Sequence, residues 1–472
     1  MLRIFLVLAF LTLSLSAVSQ DRSSDYTEPY QQLALTIYRD SIAMRTAQGQ
    51  NLVPKLAHYL ADRFRDAGFA DEDIQVVPFH LPGGDDLASL VVRYRGDGSS
   101  GKAPILFAAH MDVVDALPED WERDPFTLIE EDGYFFGRGT SDDKSGTTLL
   151  TAAFVRLKLE GFVPTRDLII AFSGDEETEM ATIKDLVENH RHLIDAEFAI
   201  NADAGGGALD TDFKPISYQL QAAEKTYADF ELVVRNPGGH SSRPRADNAI
   251  YRLADALKKI QAFQFPVRYN DITLQYYELR SKAESGRLGD AMLAFSKNPH
   301  DPAAAAILAE YPSQVGITRT TCVATMLDAG HAENALPQSA KANINCRIFP
   351  GIAVDEVQSR LEETIDDDEV EIVVKGNPQS APASELREDV VDAISKSVHA
   401  LYPDLPIIPS MTTGATDGRT LRANGIPTYG SIALFSRAED SFSHGLNERV
   451  LVKSFFDALE HWHIVIHELA GR

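Results

Sequence analysis

Histidine and carboxylate side chains, the groups that bind metal ions and transfer protons, cluster where short apolar segments end. They form five groups along the chain: His110-Met111-Asp112, Asp142-Asp143, Asp175-Glu176-Glu177, Asp203 and Ser443-His444-Gly445. In parallel α/β sheets, ligands bind beyond the carboxyl ends of the strands, so these groups are expected to meet at one edge of a sheet. Two histidines with three or more carboxylates make a mixed nitrogen and oxygen ligand set, which suits zinc and also accepts manganese or cobalt.

Each group taken singly has an ordinary explanation. A histidine at a strand end is more often a hydrogen-bonded core residue, and a Glu-Glu pair more often belongs to a solvated surface. The chain carries 70 Asp and Glu against 44 Lys and Arg, which makes chance clusters of carboxylates common. A metal site is favoured because all five groups follow apolar strands or glycine turns, and buried carboxylates repel one another unless a cation compensates them.

The elements that would carry these groups follow a pattern typical of an α/β fold. Before Asn201, short apolar strands alternate with helical segments, among them strands at 105–109 and 168–172 and a helix at 144–159. This alternation predicts a largely parallel, buried sheet.

The pattern changes between residues 208 and 349. Three strands there alternate apolar and polar residues, at 227–234, 320–327 and 341–348. They predict a smaller α+β domain, and the α/β pattern returns after it. We therefore expect a catalytic domain with a mostly parallel sheet, formed by residues 20–207 and 350–472, into which a lid or dimerisation domain at 208–349 is inserted.

The N-terminus has the layout of a secretory signal peptide over residues 1–19. Arg3 is its only charged side chain, residues 4–15 are apolar, and Ala17-Val18-Ser19 supplies small residues for cleavage. A membrane anchor is the alternative, but the apolar run is shorter than the about 20 residues that a spanning helix needs. The mature protein is therefore expected to be secreted or periplasmic, with no membrane contact after cleavage.

Composition limits the classes of partner. The net charge of −26 argues against nucleic acid, because a phosphate backbone is bound by an excess of positive charge.

Cys322 and Cys346 are the only cysteines, and they lie on two strands that are expected to pair. A cross-strand disulfide and two buried thiols are both compatible with that placement.

Four segments together resemble the co-catalytic di-zinc exopeptidase family, which includes aminoacylases, carnosine-type dipeptidases, glutamate carboxypeptidase and succinyl-diaminopimelate desuccinylase. The segments are residues 109–114, 137–146, 175–177 and 444–448, in the order found in that family. The sequence of residues 121–126 is most similar to that of the carboxypeptidase S-like branch. The resemblance covers nearly the whole mature chain.

The resemblance implies two zinc ions and a role for each matching residue. The implied ligands are His110, Asp142 and Asp203 for one ion, and Asp142, Glu177 and His444 for the other. Glu176 would be the general base, which takes a proton from water and later gives it to the leaving amine. Asp112 would orient His110 and fix its tautomer. The peptide between Asp142 and Asp143 is often cis in this family.

The lid would contribute residues that contact the substrate. His240, in Pro237-Gly238-Gly239-His240, resembles the family's oxyanion-stabilising histidine, with an ordinary turn histidine as the alternative. Asn334 and Arg347 match positions that hold the substrate's carboxylate in relatives, a task that suits the bidentate guanidinium. In relatives that dimerise through the lid, the histidine that His240 resembles reaches the partner's active site. The resemblance is therefore compatible with a homodimer formed through the lid.

The expected function is that of an exported zinc-dependent metallopeptidase or amidohydrolase. It would cleave a peptide or N-acyl amide bond next to a free carboxylate, as carboxypeptidases, dipeptidases and aminoacylases do. Its substrate would be a small peptide or an N-acyl amino acid. The alternative is a non-catalytic binding protein that retains the fold, which is disfavoured because every implied ligand and Glu176 are present. A serine esterase ranks below both, because no Gly-x-Ser-x-Gly turn occurs.

Overall fold

The computed structural model describes residues 26–440 and 442–472, so the expected signal peptide lies outside the described residues. The helices of this part of the chain are α1 Pro29–Ile42, α2 Val53–Asp66, α3 Lys144–Leu159, α4 Ala181–Glu188, α5 Arg191–Ile194, α6 Ala249–Ala262, α7 Asp271–Arg280, α8 Gly286–Lys297, α9 Pro302–Ala309, α10 Pro312–Val315, α11 Val354–Ile365, α12 Glu388–Leu401, α13 Asp417–Ala423 and α14 Val452–Ala470. None of the helices in these ranges is long and apolar enough to cross a membrane.

The strands of the same residues are β1 Ile74–His80, β2 Asp86–Tyr94, β3 Ile105–His110, β4 Ile129–Glu131, β5 Tyr134–Phe136, β6 Leu168–Ser173, β7 Phe198–Asn201, β8 Gly206–Leu209, β9 Pro215–Glu224, β10 Thr226–Arg235, β11 Gly239–His240, β12 Thr321–Ala329, β13 Ala335–Leu336, β14 Ser339–Ile348, β15 Val370–Lys375, β16 Ile407–Thr412, β17 Thr428–Gly430, β18 Phe435–Arg437 and β19 Arg449–Leu451.

A large mixed sheet forms the centre of the fold, and its middle strands are parallel. In the described ranges it has ten strands, in the order β1-β2-β6-β3-β7-β17-β9-β8-β18, with β16 paired to β9. β3 runs parallel to β6 and β7, and β7 runs parallel to β17. Every residue of β3, β6 and β7 is buried, as expected of a parallel sheet covered on both faces. The predicted α/β class is confirmed.

Helices cover both faces of this sheet, and β3 shows how its side chains divide between them. Ile105 and Phe107 join the larger core with side chains of α1, α2, α3 and α14. Leu106 and Ala108 point to the opposite face and join a smaller core with α4 and α13. His110 is the last residue of β3 and therefore lies at the carboxyl edge of the sheet.

A second, antiparallel sheet has the order β12-β14-β10-β15. Helices α6 and α11 pack on it, with Leu253, Val357 and Leu361 in its core. Cys322 on β12 lies opposite Cys346 on β14, and a disulfide joins them. Of the two arrangements compatible with the sequence, the structure has the cross-strand bridge.

Some elements pack in a different domain from the one that the expected boundaries assign to them. β15 and α11, within the expected catalytic segment 350–472, belong to the small sheet and its core. β8 and β9, near the start of the expected lid, belong to the large sheet, and helices α7 to α9 add Ile272, Phe295 and Leu308 to the large core. A periodic pattern identifies an element but not its partner. The alternating burial of β15 is typical of a strand with one exposed face.

Candidate metal centre

Segments from separate parts of the chain bring histidine and carboxylate side chains to the carboxyl edge of the large sheet. Their carriers are the end of β3 for His110, the turn before α3 for Asp142, the loop after β6 for Glu177, the loop after β7 for Asp203 and the segment between β18 and β19 for His444. The Asp142–Asp143 peptide is cis. The strand-end pattern in the sequence predicts this convergence.

Asp142 lies between two histidines, with one at each carboxylate oxygen. Its Oδ1 is 3.0 Å from His110 Nε2, and its Oδ2 is 3.2 Å from His444 Nε2. Asp203 Oδ1 lies 3.7 Å from His110 Nε2, and Glu177 Oε2 lies 2.9 Å from His444 Nε2. Two sets of potential ligands therefore share Asp142. One set adds His110 and Asp203, and the other adds His444 and Glu177.

This donor set fits divalent metal ions of the zinc class. Imidazole nitrogens and carboxylate oxygens are the mixed ligands that zinc accepts, and those of His110, Asp142 and Glu177 lie within 4.8 Å of one another. Asp143 is also within that distance of His110 and Asp203. Its carboxylate, however, accepts hydrogen bonds from the backbone N–H of Gly146 at 3.1 Å and of His110 at 3.3 Å. Asp143 therefore caps α3, while Asp142 faces both histidines.

Burial and proximity strongly perturb the protonation of this cluster. Hydrogen bonds to Asp142 and Glu177 raise the pKa of His444 to about 10. Burial acts to lower the pKa of His110, but the charge of Asp203 and the other neighbouring carboxylates outweigh it and hold that pKa well above its usual value. Burial raises the pKa of Asp203 to about 7. The site therefore favours bound positive charge, for which protons and metal ions compete.

Asp112 fixes the loop that carries the two glutamates. Its Oδ1 accepts the backbone N–H of Glu176, and its Oδ2 accepts that of Glu177, both at 3.0 Å. His110 Nδ1 lies 3.1 Å from the Asp112 carbonyl oxygen and 3.5 Å from its carboxylate. Glu176 is 8% exposed, and burial, then the charge of Asp203, raises the pKa of its carboxyl well above the usual value. Asp112 thus contacts the histidine and also positions the glutamates.

Sequence reasoning gave no role to Glu448, which anchors the turn that carries Asp142. Its fully buried carboxylate accepts hydrogen bonds from Arg138 Nη1 at 2.8 Å, Ser141 N at 2.7 Å and Asp142 N at 3.1 Å. Glu448 lies four residues after His444. It therefore links the segment of one histidine to the backbone of the shared carboxylate. The sequence feature that could have pointed to Glu448 is its place in the segment at 444–448, which matches the exopeptidase family.

His240 is the last residue of β11, which pairs antiparallel with β13, and Asn334 directly precedes β13; both residues are exposed. The backbone N–H of Ser242 donates to His240 Nδ1 at 3.1 Å, and that of Ser241 donates to the Asn334 carbonyl at 3.0 Å. Within residues 26–440 and 442–472, neither side chain contacts the candidate metal ligands. The structure brings these two predicted residues together with each other but not with the predicted ligands of their own chain.

Arg347 lies near a cleft that begins beside the loop carrying Glu176 and Glu177. Its guanidinium is 4.7 Å from the centre of the Tyr227 ring. Tyr227, Thr178 and Arg419 are among the residues that line a cleft of about 190 Å³. Thr178 directly follows Glu177 in the chain, so the cleft begins next to the loop that carries a predicted ligand and extends to residues of the small sheet.

Comparison with known proteins identifies the family of this chain. Residues 106–468 match the model of peptidase family M20/M25/M40. The N-fatty-acyl-amino acid synthase/hydrolase PM20D1 of Xenopus tropicalis is 30% identical over 357 residues, which cover 74% of this chain and 69% of that protein. The probable carboxypeptidase S-like 2 of Dictyostelium discoideum is 28% identical over 391 residues, which cover 80% and 74%. The resemblance to the exopeptidase family and its carboxypeptidase S-like branch is confirmed.

Solved structures show the same fold at lower sequence identity. The M20 family metallo-carboxypeptidase Sso-CP2 of Sulfolobus solfataricus has a TM-score of 0.69 and 20% identity, covering 92% of this chain and 98% of that one. Human carnosine dipeptidase 1 has a TM-score of 0.60 and 15% identity, covering 93% and 97%. The family model spans most of the chain, and the chain therefore belongs to peptidase family M20/M25/M40, as a hydrolase that acts on amide bonds.

Proposed function

We propose that this protein is an exported binuclear zinc hydrolase that cleaves a peptide or N-acyl amide bond next to a free carboxylate. The observation that carries the proposal is the position of Asp142, whose two oxygens face different histidines at 3.0 Å and 3.2 Å. One carboxylate placed in this way suits a ligand shared by two cations. Asp203 and Glu177 would complete the two sites, with manganese or cobalt as substitutes for zinc.

The residues around the shared carboxylate would divide the work of hydrolysis. Zinc bound here would act as a Lewis acid that polarises the scissile carbonyl and makes water more acidic. Glu176 takes a proton from the attacking water and delivers it to the leaving amine. Glu177, next to it, serves as a ligand, so that Glu176 stays free to move protons. Asp112 keeps both in place through the two backbone hydrogen bonds at 3.0 Å.

We assign the free carboxylate of the substrate to Arg347. Its Nη1 donates to the Thr413 carbonyl at 3.0 Å, which leaves further N–H donors of the guanidinium for a ligand. Neither Arg347 nor its neighbour Arg419 forms an ion pair with any residue that the structure describes. Burial above all, with the nearby charge of Arg419 as a further cause, lowers the pKa of Arg347. Two unpaired arginines beside the cleft favour an anionic group on the substrate.

The lid histidine would act across a dimer. His240 is exposed, and β12 is the edge strand of the small sheet, with Met326 and Leu327 70% and 66% exposed. An uncovered edge with apolar side chains can pair with a second copy. Helices α7 to α9 pack with the large core and leave this edge open. In this proposal the lid comprises β10 to β15 with α6 and α11, and the remaining elements form the catalytic domain.

The substrate class can be tested directly with purified protein. The protein is stripped with a chelator, reconstituted with zinc, and offered dipeptides, C-terminally amidated peptides and N-acyl amino acids of graded chain length. Mass spectrometry should detect hydrolysis of compounds with a free carboxylate, only after zinc is restored. Hydrolysis that is unaffected by metal removal would contradict the metal-dependent mechanism. Binding without hydrolysis of any compound would support the non-catalytic alternative.

Export is tested separately from catalysis. The expected cleavage after residue 19 leaves Gln20 as the first residue of the mature chain. The N-terminal peptide of protein collected outside the cytoplasm should therefore begin at Gln20. An uncleaved chain retained in the membrane fraction would favour the anchor instead.

A further inference from the structure

A second cluster of metal-ligating side chains lies on the surface, at the end of α3 that is distant from Asp142. His463 and His467 stand four residues apart on α14, so they share one face of the helix. Glu160 directly follows Leu159, the last residue of α3. His463 Nε2 is 2.9 Å from Glu160 Oε2, and the two imidazole rings have centroids 4.6 Å apart. One ligand atom from each of the three residues lies within 4.8 Å of the others.

We propose that Glu160, His463 and His467 form a separate binding site for a divalent transition-metal cation, for which Zn²⁺ is the probe. Two imidazoles and one carboxylate are ligands that zinc accepts, and they leave a fourth position for water. Bonds of about 2.0–2.1 Å in a tetrahedral geometry separate two ligand atoms by about 3.3 Å. The observed 2.9 Å between His463 Nε2 and Glu160 Oε2 needs only a small opening to reach that separation.

The positive charge nearest to Glu160 does not block this site. Arg156 Nε donates to Glu160 Oε1 at 2.9 Å, so Oε2 is the oxygen that faces His463. Arg156 also donates to Glu460 at 2.9 Å, and its guanidinium lies 4.0 Å from the centre of the Tyr30 ring. These contacts hold Arg156 on the Oε1 side of Glu160, where it orients the carboxylate without replacing the cation.

Packing positions the histidines while solvent reaches the ligand atoms. The Phe162 ring meets the His467 ring edge-on, with centroids 4.4 Å apart. The His463 side chain is 20% exposed and that of Glu160 is 45% exposed. The rings are therefore partly fixed before a cation arrives, and a cation can enter from solution without opening the core.

The site is separated from the candidate metal centre by the length of a helix. α3 has 16 residues and begins next to Asp143, so it spans about 24 Å at 1.5 Å per residue. A cation bound at Glu160 cannot contact a substrate at Asp142. It would instead join the last turns of α14 to the end of α3 and stabilise the docking of the C-terminal helix.

Zinc counting tests this inference independently of the proposed function. Wild-type protein and the double variant His463→Ala/His467→Ala are dialysed against a series of buffered free Zn²⁺ concentrations, and bound zinc per chain is measured. The wild type should bind one zinc more than the variant at saturation, with turnover unchanged. The difference between the chains tests the surface site, whereas the zinc that remains in the variant tests the binuclear centre.

Matched variants separate the site from ordinary surface histidines. His58→Ala/His192→Ala removes two exposed histidines elsewhere and should leave the zinc count at the wild-type value. Glu160→Gln should weaken the additional site, and zinc should raise the Tm of the wild type more than that of either site variant. If His463→Ala/His467→Ala does not fold, the zinc bound by the wild type is compared with that bound by Glu160→Gln instead. Equal zinc counts in wild type and site variants, or a Glu160→Gln chain with unchanged affinity, would overturn the proposal.

Discussion

Two adjacent glutamates in one loop have surroundings that suit different tasks. Glu177 Oε2 lies 2.9 Å from His444 Nε2, within the group of potential ligands. Glu176 is 8% exposed, and its backbone N–H is held by Asp112 Oδ1 at 3.0 Å. A ligand must keep its carboxylate ionised and directed at the cation, whereas a base must be free to gain and lose a proton. The two positions are therefore expected to respond differently to the same substitution.

Glu176→Gln should retain both metal ions and lose turnover. The substitution removes the proton acceptor but keeps the size and the backbone hydrogen bond of the residue, so a loss of about 10²–10⁴-fold in kcat is expected. Metal content and kcat should be measured on the same preparation. Glu188→Gln, at an exposed glutamate of α4, is the matched control and should behave as wild type. Wild-type turnover in Glu176→Gln, or loss of metal from it, would show that Glu176 is not the base.

Arg347→Ala should weaken binding of substrates with a free carboxylate much more than binding of their amides. The guanidinium stacks on Tyr227 and has no ion-pair partner among the described residues, so its free donors are available to an anion. KM for a free-acid substrate and for its amidated form should be compared in both proteins. Arg268→Ala, at an exposed arginine, serves as control. An equal rise in KM for both substrates would assign Arg347 a structural role.

At the scale of elements, the centre depends on the connection between the turn before α3 and the segment between β18 and β19. Glu448 makes that connection, because it accepts hydrogen bonds from Arg138, Ser141 and the backbone of Asp142. Its side chain is 0% exposed and that of Arg138 is 3% exposed. Loss of the carboxylate would leave a buried guanidinium without compensation and would release the turn that positions the shared ligand.

Glu448→Gln should lower both the free energy of unfolding and the affinity for metal. Removing one partner from a buried ion pair costs about 3–5 kcal/mol. Urea unfolding of the metal-free protein gives the stability change, and titration with zinc gives the affinity. Glu371→Gln breaks an exposed pair with Arg235 and should cost less than about 1 kcal/mol. A Glu448→Gln chain as stable as Glu371→Gln, with unchanged zinc affinity, would contradict the anchoring role.

The sequence predicts elements and strand ends better than it predicts their neighbours. The apolar run before His110 and the helix at 144–159 are local patterns, and the structure has β3 and α3 there. The pairing of β15 with β10 joins residues that are distant in the chain, and no local periodicity specifies it. The role of Glu448 depends on the turn at 137–142 folding against it. Both features arise from tertiary contacts and are therefore absent from the local pattern.

At the scale of the whole molecule, the position of His240 has a consequence for assembly. In its own chain this side chain is exposed and accepts a hydrogen bond from Ser242, and it lies on β11, whose partner strand β13 directly follows Asn334. An oxyanion donor must reach the reacting carbonyl. Pairing of two chains through the exposed edge of β12 would offer the histidine of each chain to the site of the other.

Subunit mixing tests this exchange. His240→Ala and Glu176→Gln should each be nearly inactive, and a mixed dimer would contain one site with an intact Glu176 and a partner's His240. Random pairing of equal amounts should restore about a quarter of wild-type activity in a symmetric dimer with independent sites. A charge on the edge strand, Leu327→Lys, should give monomers and prevent the recovery. No recovery after demonstrated subunit exchange, or a monomeric wild type in light scattering, would exclude action across the dimer.

The shared position of Asp142 can be observed directly by diffraction from zinc-reconstituted crystals, recorded on both sides of the zinc absorption edge. The account predicts two anomalous peaks at the carboxyl edge of the large sheet. One peak should lie between Asp142 Oδ1, His110 and Asp203, and the other between Asp142 Oδ2, His444 and Glu177. A single peak in this region, or two peaks that do not share Asp142, would contradict the binuclear centre.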